Sequence, residues 1–92
     1  MRRVVITDDS GRWFDLDKAH AFRESMTFDG CNMISDATRS EFLHEALFRT
    51  ASEKWIKHHW SNWQGSRDTW EVVDDTEAAR WLSVNGYDAI AT

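Results

Sequence analysis

Histidine, cysteine and glutamate side chains are the groups of this chain that could bind a metal ion. The candidates are His44, His58, His59, Cys31 and Glu45, whose imidazole, thiolate and carboxylate groups are common ligands of Zn²⁺. Their spacing argues against a site, because His58 and His59 are neighbours and would point to opposite faces of a strand. Neither a C-x-x-C nor an H-E-x-x-H motif occurs. The sequence therefore predicts no metal and no other cofactor.

Adjacent carboxylates are the second group that could do chemistry, since acid and base catalysis uses pairs whose pKa values differ. Asp8-Asp9 precedes Ser10-Gly11, a typical turn sequence. Asp74-Asp75 lies where a helix is predicted to begin, and aspartate is a favoured N-cap. The lone Cys31 is more typical of a small packed residue than of a nucleophile. We predict that the protein is not an enzyme.

Tryptophan is the unusual feature of the composition, with six in 92 residues. Side chains alternate between the two faces of a strand. The segment 55–63 therefore places Trp55, Lys57, His59 and Trp63 on one face and Ile56, His58 and Trp60 on the other. The second set has no lysine, arginine or carboxylate, so it is predicted to face the core. The first set is predicted to remain uncovered and to bind a partner. The predicted partner-binding residues are Trp55, Lys57, Trp63, Glu53 and Glu71.

The aromatic segment is predicted to be the middle strand of a three-stranded antiparallel meander over about 42–73. A short polar turn at 51–54 and a glycine at Gly65, which accepts positive φ, separate the strands. Thr69–Val73 then resumes with β-branched and aromatic residues. Residues 39–47 also fit a helix capped by Ser40, so strand and helix remain alternatives there.

The flanking segments complete an α+β fold in a single domain, residues 1–92. An N-terminal hairpin turns at 8–11, and a short helix is predicted over 18–24 after an aspartate cap. Residues 25–39 are interpreted as a loop that could carry function. The second helix is predicted at about 75–85, starting after Asp74 and ending at Asn85-Gly86.

Composition and charge limit the class of protein. Sixteen acidic and eleven basic residues give a formal charge of -5, which disfavours binding to phosphate backbones and favours a basic protein partner. The single cysteine cannot form an intramolecular disulfide, and no apolar run approaches the ~20 residues of a membrane span. A cytoplasmic protein without membrane contact is expected.

Four strings in the second half of the chain resemble a family of short bacterial and mobile-element proteins. They are L-F-R-T at 47–50, Trp55, W-S-N-W-Q-G-S at 60–66 and E-A-A-R-W-L at 77–82. The family pattern is L-Y-R-T, W, W-S-x-W-Q-G-S and E-A-A-x-W-L, and the resemblance covers about 29–86. This chain has Phe48 where the family usually has tyrosine, and Ser52-Glu53 where a turn glycine is usual. The resemblance implies a shared domain, without an established activity.

These observations favour a small acidic protein-interaction module. Because small acidic proteins of phages and other mobile elements often inhibit host defence, the resemblance suggests an inhibitor of the anti-CRISPR kind, which could mimic nucleic acid. Self-association into a twofold dimer is also expected from an uncovered tryptophan face. One alternative is a binder of single-stranded nucleic acid that stacks bases on the aromatic strand face. The other alternative is a small enzyme or metal protein.

Overall fold

The computed structural model describes residues 1–63, 65 and 67–87. Within these residues the chain forms eight strands and one α-helix. The strands are β1 (Arg3–Val5), β2 (Trp13–Asp15), β3 (His20–Arg23), β4 (Met26–Phe28), β5 (Met33–Ser35), β6 (Leu43–Arg49), β7 (Trp55–Ser61) and β8 (Thr69–Val73), and the helix is α1 (Asp75–Val84). All strand pairs are antiparallel. The predicted α+β class with antiparallel sheets is confirmed.

The main sheet has four strands in the order β3-β6-β7-β8. Its last three members are the predicted meander, with Phe48 opposite Ile56 and Trp55 opposite Val73. The helical alternative for residues 39–47 is wrong, because β6 occupies the segment from Leu43 onward. Pairing with strands on both sides satisfies the backbone of β6, and this outweighs a helical pattern that only part of the segment follows.

The predicted helix over 18–24 is also wrong. Asp15 does cap a helical turn, accepting a hydrogen bond from the Asp17 N–H, but the turn is a 3₁₀ helix of three residues, Leu16–Lys18. The chain then extends as β3 along β6, where Phe22 lies opposite the fully buried Leu47. Long-range pairing and burial of Phe22 therefore override the local helical signal.

Each face of the main sheet is packed by a different element, one of them only in part. Helix α1 packs Ala78, Trp81 and Leu82 against Phe22, Leu47 and Val73 on one face. The N-terminal hairpin of β1 and β2 covers part of the other face, where Ile6 and Phe14 pack on Ile56. The core position predicted for Ile56 is confirmed. The expectation that the face with Trp55 and Lys57 remains uncovered is wrong, because α1 packs over that face while the hairpin forms a second layer on the other.

Helix α1 starts and ends with the predicted signals. The Asp74 side chain accepts a hydrogen bond from the Glu77 N–H at 2.8 Å, and Gly86 follows the helix with a φ of +87°. The Asn85 side chain reaches back to the Trp81 carbonyl. In the described part of the chain, no helix has both the length and the apolar character needed to cross a membrane.

Residues at the two ends of the described chain bond to the outer strands of the main sheet. Thr7 donates its N–H to the Trp70 carbonyl at 2.8 Å, and its hydroxyl accepts the Trp70 N–H at 2.9 Å. At the opposite edge, the Tyr87 hydroxyl donates to the Arg23 carbonyl at 3.0 Å. Bonds of this kind occupy backbone groups that an open edge would offer to another strand.

Residues 25–39, interpreted from sequence as a loop, contain the hairpin of β4 and β5. Its base is fixed by the Asp36 carboxylate, which accepts hydrogen bonds from the Ser25 and Thr27 hydroxyls at 2.6 and 2.7 Å. These two bonds lower the pKa of Asp36. Asn85 accepts the Ser25 N–H at 2.8 Å and so ties the hairpin to the end of α1. The segment is therefore a supported element and not a free connector.

The turn between β6 and β7 carries a backbone strain that a single substitution should relieve. Glu53 adopts a φ of +66°, a left-handed conformation that costs a non-glycine residue about 1–2 kcal/mol. Glycine has no such penalty, but it loses more backbone entropy on folding than other residues do, which costs about 0.5–1 kcal/mol. We therefore expect Glu53→Gly to stabilise the protein by about 0.5–1 kcal/mol in chemical denaturation. Glu53→Ala removes the same carboxylate and keeps the strain, so an equal gain in that variant would contradict the explanation.

Candidate functional site

An exposed group of large apolar side chains lies at one end of the main sheet. Its members, here called the apolar patch, are Phe28 (63% exposed), Met33 (51%), Phe42 (40%) and Trp63 (59%). Phe28 and Met33 are directly opposite each other across β4 and β5. The Phe42 and Trp63 rings lie with their centroids 5.4 Å apart. Met33, Phe42 and Trp63 line a single shallow groove, and Phe28 extends this surface as the cross-strand neighbour of Met33.

Hydrogen bonds fix the backbone on both sides of the groove. The Ser40 hydroxyl accepts the N–H groups of Phe42 and Leu43 at 3.0 and 3.2 Å, and the Phe42 carbonyl accepts the Asn62 N–H at 2.9 Å. The Trp63 N–H donates to the Ser61 hydroxyl at 3.0 Å. The two aromatic residues are therefore positioned by the fold before any partner binds, which reduces the ordering cost of association.

The turn at the tip of β4 and β5 is an aspartate turn. The Asp29 carboxylate accepts the N–H groups of Asn32 and Cys31, each at 2.8 Å, and these bonds lower the pKa of Asp29. Gly30 has a φ of +102°, a conformation that favours glycine. The turn sets the register that places Phe28 beside Met33. Cys31 is exposed in the same turn.

A buried carboxylate lies behind the patch and joins three segments. Glu24, whose side chain is 9% exposed, accepts hydrogen bonds from the Ser35 hydroxyl at 2.7 Å and the Glu45 N–H at 2.8 Å. The His44 Nδ1 lies 2.5 Å from its other oxygen. The His44 Nε2 is 2.9 Å from the Asn62 side-chain amide. Since an amide N–H must donate, this network assigns a proton to Nδ1 and a lone pair to Nε2. Glu24 thus connects β5, β6 and the residue before Trp63.

A row of stacked rings extends from His44 across the sheet. Trp60 lies 5.6 Å from His44 and 4.8 Å from His58, and His58 lies 3.7 Å from Trp70 at an interplanar angle of 5°. Burial lowers the pKa of His58, although its bond to Asp68 at 3.0 Å opposes the shift. Trp60 is half-buried in this row. Its assignment to the core needs correction, because it stacks beside the region that the N-terminal hairpin covers.

The opposite face of the sheet carries a second charged cluster, located beneath α1. Glu45 accepts a hydrogen bond from Trp81 Nε1 at 3.0 Å and pairs with His59 Nδ1 at 2.9 Å. Lys57 pairs with Glu77 of the helix at 3.2 Å. Burial opposes ionisation of Glu45, but the bond from His59 and the nearby cations outweigh it and lower the pKa of Glu45. The bond to Glu45 raises the pKa of His59, helped by Glu71 and opposed by burial and by Lys57.

The Glu45–His59 pair should stabilise the fold within a defined pH window. A lowered Glu45 pKa gives stability that is complete above its ordinary value of 4.5 and lost as pH falls. A raised His59 pKa gives stability that is complete below its ordinary value of 6.5 and lost as pH rises. We expect His59→Gln to cost about 0.5–1 kcal/mol between these pH values and less outside them, because the pair is partly exposed. Urea denaturation across pH measures the cost, and a cost that does not vary with pH would contradict the assignment.

The structure places the five predicted partner-binding residues in different surroundings. Trp55 packs on the helix-side core and under the Arg49 guanidinium at 4.6 Å. The Lys57 side chain is 12% exposed and is paired with the helix. Glu53 and Glu71 are exposed, Glu53 in the β6–β7 turn and Glu71 on β8 opposite Lys57. Trp63 lies beyond the other end of β7, and the strand from Trp55 to Ser61 alone spans about 20 Å at about 3.3 Å per residue. The five residues therefore do not form one surface, and Trp63 alone belongs to the apolar patch.

Sequence reasoning missed Phe28, Met33 and Phe42 as members of this surface. The signal was present before the turn at 29–32, where the apolar Met26 and Phe28 alternate with Thr27 and lead into Asp29-Gly30. Such alternation before an aspartate-glycine turn is typical of a hairpin. Among the described residues, no group of histidines, cysteine and carboxylates is arranged to hold a metal ion. His58 and His59 do point to opposite faces, as predicted.

No family model, curated protein or solved structure matches this chain. The resemblance to the family with the W-S-x-W-Q-G-S pattern therefore rests on the motif residues alone. Several of those residues have structural roles here, since Leu47, Trp81 and Leu82 are buried in the core and Trp55 packs beside them. Trp63 is the exception, because its side chain is largely exposed.

Proposed function

We propose that this chain is a protein-interaction module that binds its partner through the apolar patch. The observation that carries the proposal is the exposure of Trp63 and Phe42, in ring contact, on backbone held by hydrogen bonds. Exposed aromatic residues on a rigid base are typical anchors of protein interfaces. Methionine beside them adds a flexible apolar contact that adapts to the partner's shape.

The chemistry of the partner follows from the surroundings of the patch. Glu41, Asn32 and Asn62 line the same groove as Met33, Phe42 and Trp63, and the chain as a whole carries a formal charge of -5. A matching surface would have an apolar centre with basic residues at its rim. This supports the more specific proposal of a cytoplasmic inhibitor that binds a basic host defence complex. In this proposal the carboxylates of the inhibitor take the place of nucleic-acid phosphates on the basic surface of the complex.

The alternative of a single-stranded nucleic-acid binder loses support in the form suggested by sequence. That form used the β7 face with Trp55, Lys57 and His59, and α1 packs over this face. Bases could stack on Trp55 only if the helix moved away. Binding of a partner protein requires no such rearrangement of the apolar patch.

The test compares two tryptophan variants in an affinity capture quantified by mass spectrometry, followed by binding measurements with the captured partner. We expect Trp63→Ala to weaken binding at least tenfold, or about 1.4 kcal/mol, since an interface anchor contributes that much or more. Trp13→Ala is the matched control, because Trp13 is 46% exposed but belongs to the N-terminal hairpin. Equal loss in both variants, or no loss in either, would reject the patch as the binding surface. Sedimentation of both variants detects the alternative outcome, a dimer formed through the patch.

A further inference from the structure

A cleft of about 400 Å³ lies between the N-terminal hairpin and the β6–β7 turn. Its inner surface is apolar and includes Ile6, Phe14 and Ile56, with Trp13 at its side. Its volume falls in the range of sites that hold small molecules, which are typically apolar with a few polar groups at the rim. The cleft adjoins Ile56 near the start of β7, whereas the apolar patch adjoins the end of that strand. The two surfaces are therefore separate.

The polar rim of the cleft combines a cation with hydroxyl groups. Lys54 and Ser52 line the cleft with the buried Thr50, and the Thr50 and Ser52 hydroxyl oxygens are 3.1 Å apart. The Lys54 ammonium forms no ion pair with any residue that the structure describes. An ammonium and a hydroxyl together can donate hydrogen bonds to an anion.

The second cation of the lining is already neutralised. Arg12 binds the Asp8 carboxylate at 2.7 Å, and bonds from Ser10 and Arg12 lower the pKa of Asp8 to about 2. That pair is therefore ionised at neutral pH and has no net charge. Arg12 and Lys54 are the only charged residues among those found to line the cleft, so Lys54 leaves it locally positive in a chain of net charge -5. This asymmetry favours an anionic ligand.

We propose that the cleft binds a small organic carboxylate with a flat apolar body. The body lies against Trp13 and Phe14, and the carboxylate accepts hydrogen bonds from the Lys54 ammonium and the Ser52 hydroxyl. Burial of the apolar body supplies most of the affinity, and the carboxylate supplies the selectivity for an anion. This site is independent of the proposed interaction with a partner protein.

The test uses 2-naphthoate and its neutral analogue 2-naphthamide as probes, with amide and indole N–H shifts read by two-dimensional NMR. We expect saturable shifts at the Trp13 indole and at 50–54, with naphthoate bound about threefold to tenfold more tightly than naphthamide. Lys54→Met should abolish that preference while naphthamide binding persists. Lys18→Met is the control, since Lys18 is an exposed lysine outside the cleft lining, and it should keep the preference.

Three outcomes would overturn the proposal. The first is equal affinity for the acid and the amide, and the second is a preference that survives Lys54→Met. The third is chemical shifts that do not saturate at probe concentrations up to about 10 mM, because binding weaker than that would not be specific. Trp13→Ala should weaken both probes and leave capture of the partner protein unchanged. The result therefore separates failure of this site from failure of the proposed interaction surface.

Discussion

Replacing Glu24 by alanine is expected to lower the free energy of unfolding by about 3–5 kcal/mol. The carboxylate is almost fully buried and accepts hydrogen bonds from the Ser35 hydroxyl, the Glu45 N–H and His44. Its removal leaves these three donors without their acceptor in a region that water reaches poorly, so each loses a charge-assisted bond. A domain of this size has about 5–14 kcal/mol in total, so the variant should be close to unfolding. Urea denaturation followed by tryptophan fluorescence measures the loss.

Two further variants test the explanation for Glu24. Glu71→Ala removes an exposed carboxylate from β8 and should change stability by less than about 0.5 kcal/mol. Glu24→Gln keeps one acceptor oxygen and replaces the other by a donor, so its cost should lie between those of the two alanine variants. A Glu24→Ala protein as stable as Glu71→Ala would show that the network contributes little to folding.

Replacing Trp81 by alanine is expected to cost about 3–5 kcal/mol. The indole is 5% exposed and packs in the core between α1 and the sheet. It also donates Nε1–H to Glu45 at 3.0 Å, so truncation both opens a cavity and removes a donor from a partly buried carboxylate. Thermal and chemical denaturation should agree on the size of the loss.

Trp63→Ala is the matched control for this second prediction. Its indole is 59% exposed, so its loss should cost less than about 1 kcal/mol. Trp81→Phe separates packing from hydrogen bonding, because phenylalanine retains a ring and lacks the N–H. A cost of about 1–2 kcal/mol is expected for that variant. If Trp63→Ala were as destabilising as Trp81→Ala, Trp63 would be a structural residue and the patch would lose its main anchor.

Local sequence signals predicted the elements whose boundaries depend on turns and caps. The meander followed from polar turns between aromatic runs, and the start of α1 from Asp74, which caps the helix as expected. The segment at 18–24 failed because its conformation depends on pairing with β6, more than 20 positions away in the chain. A local pattern contains no information about such pairing, which tertiary contacts decide.

The candidate site was predictable only in part for a similar reason. Alternation correctly separated the two faces over 55–61, where β7 lies, with Ile56 on one face and Trp55 on the other. It could not say which layer covers each face, because that depends on where the N-terminal hairpin and α1 pack. Helix packing buried the Lys57 side chain, while Trp63, beyond the end of the strand, stayed exposed. Exposure is decided by the layers and not by the strand's own sequence.

The bonds at the two edges of the main sheet have a consequence for the order of folding. Thr7 reaches Trp70 across 63 positions, Tyr87 reaches Arg23 across 64, and Ser25 reaches Asn85 across 60. The turns of the meander, in contrast, join strands that are neighbours in sequence. Since closing long loops is slow, β6, β7 and β8 should associate first and the sheet edges should close last. On a ribosome, the β8 edge could then close once Trp70 has left the exit tunnel, whereas the β3 edge would stay open until Tyr87 has followed, so the two edges of the sheet close at different stages of synthesis.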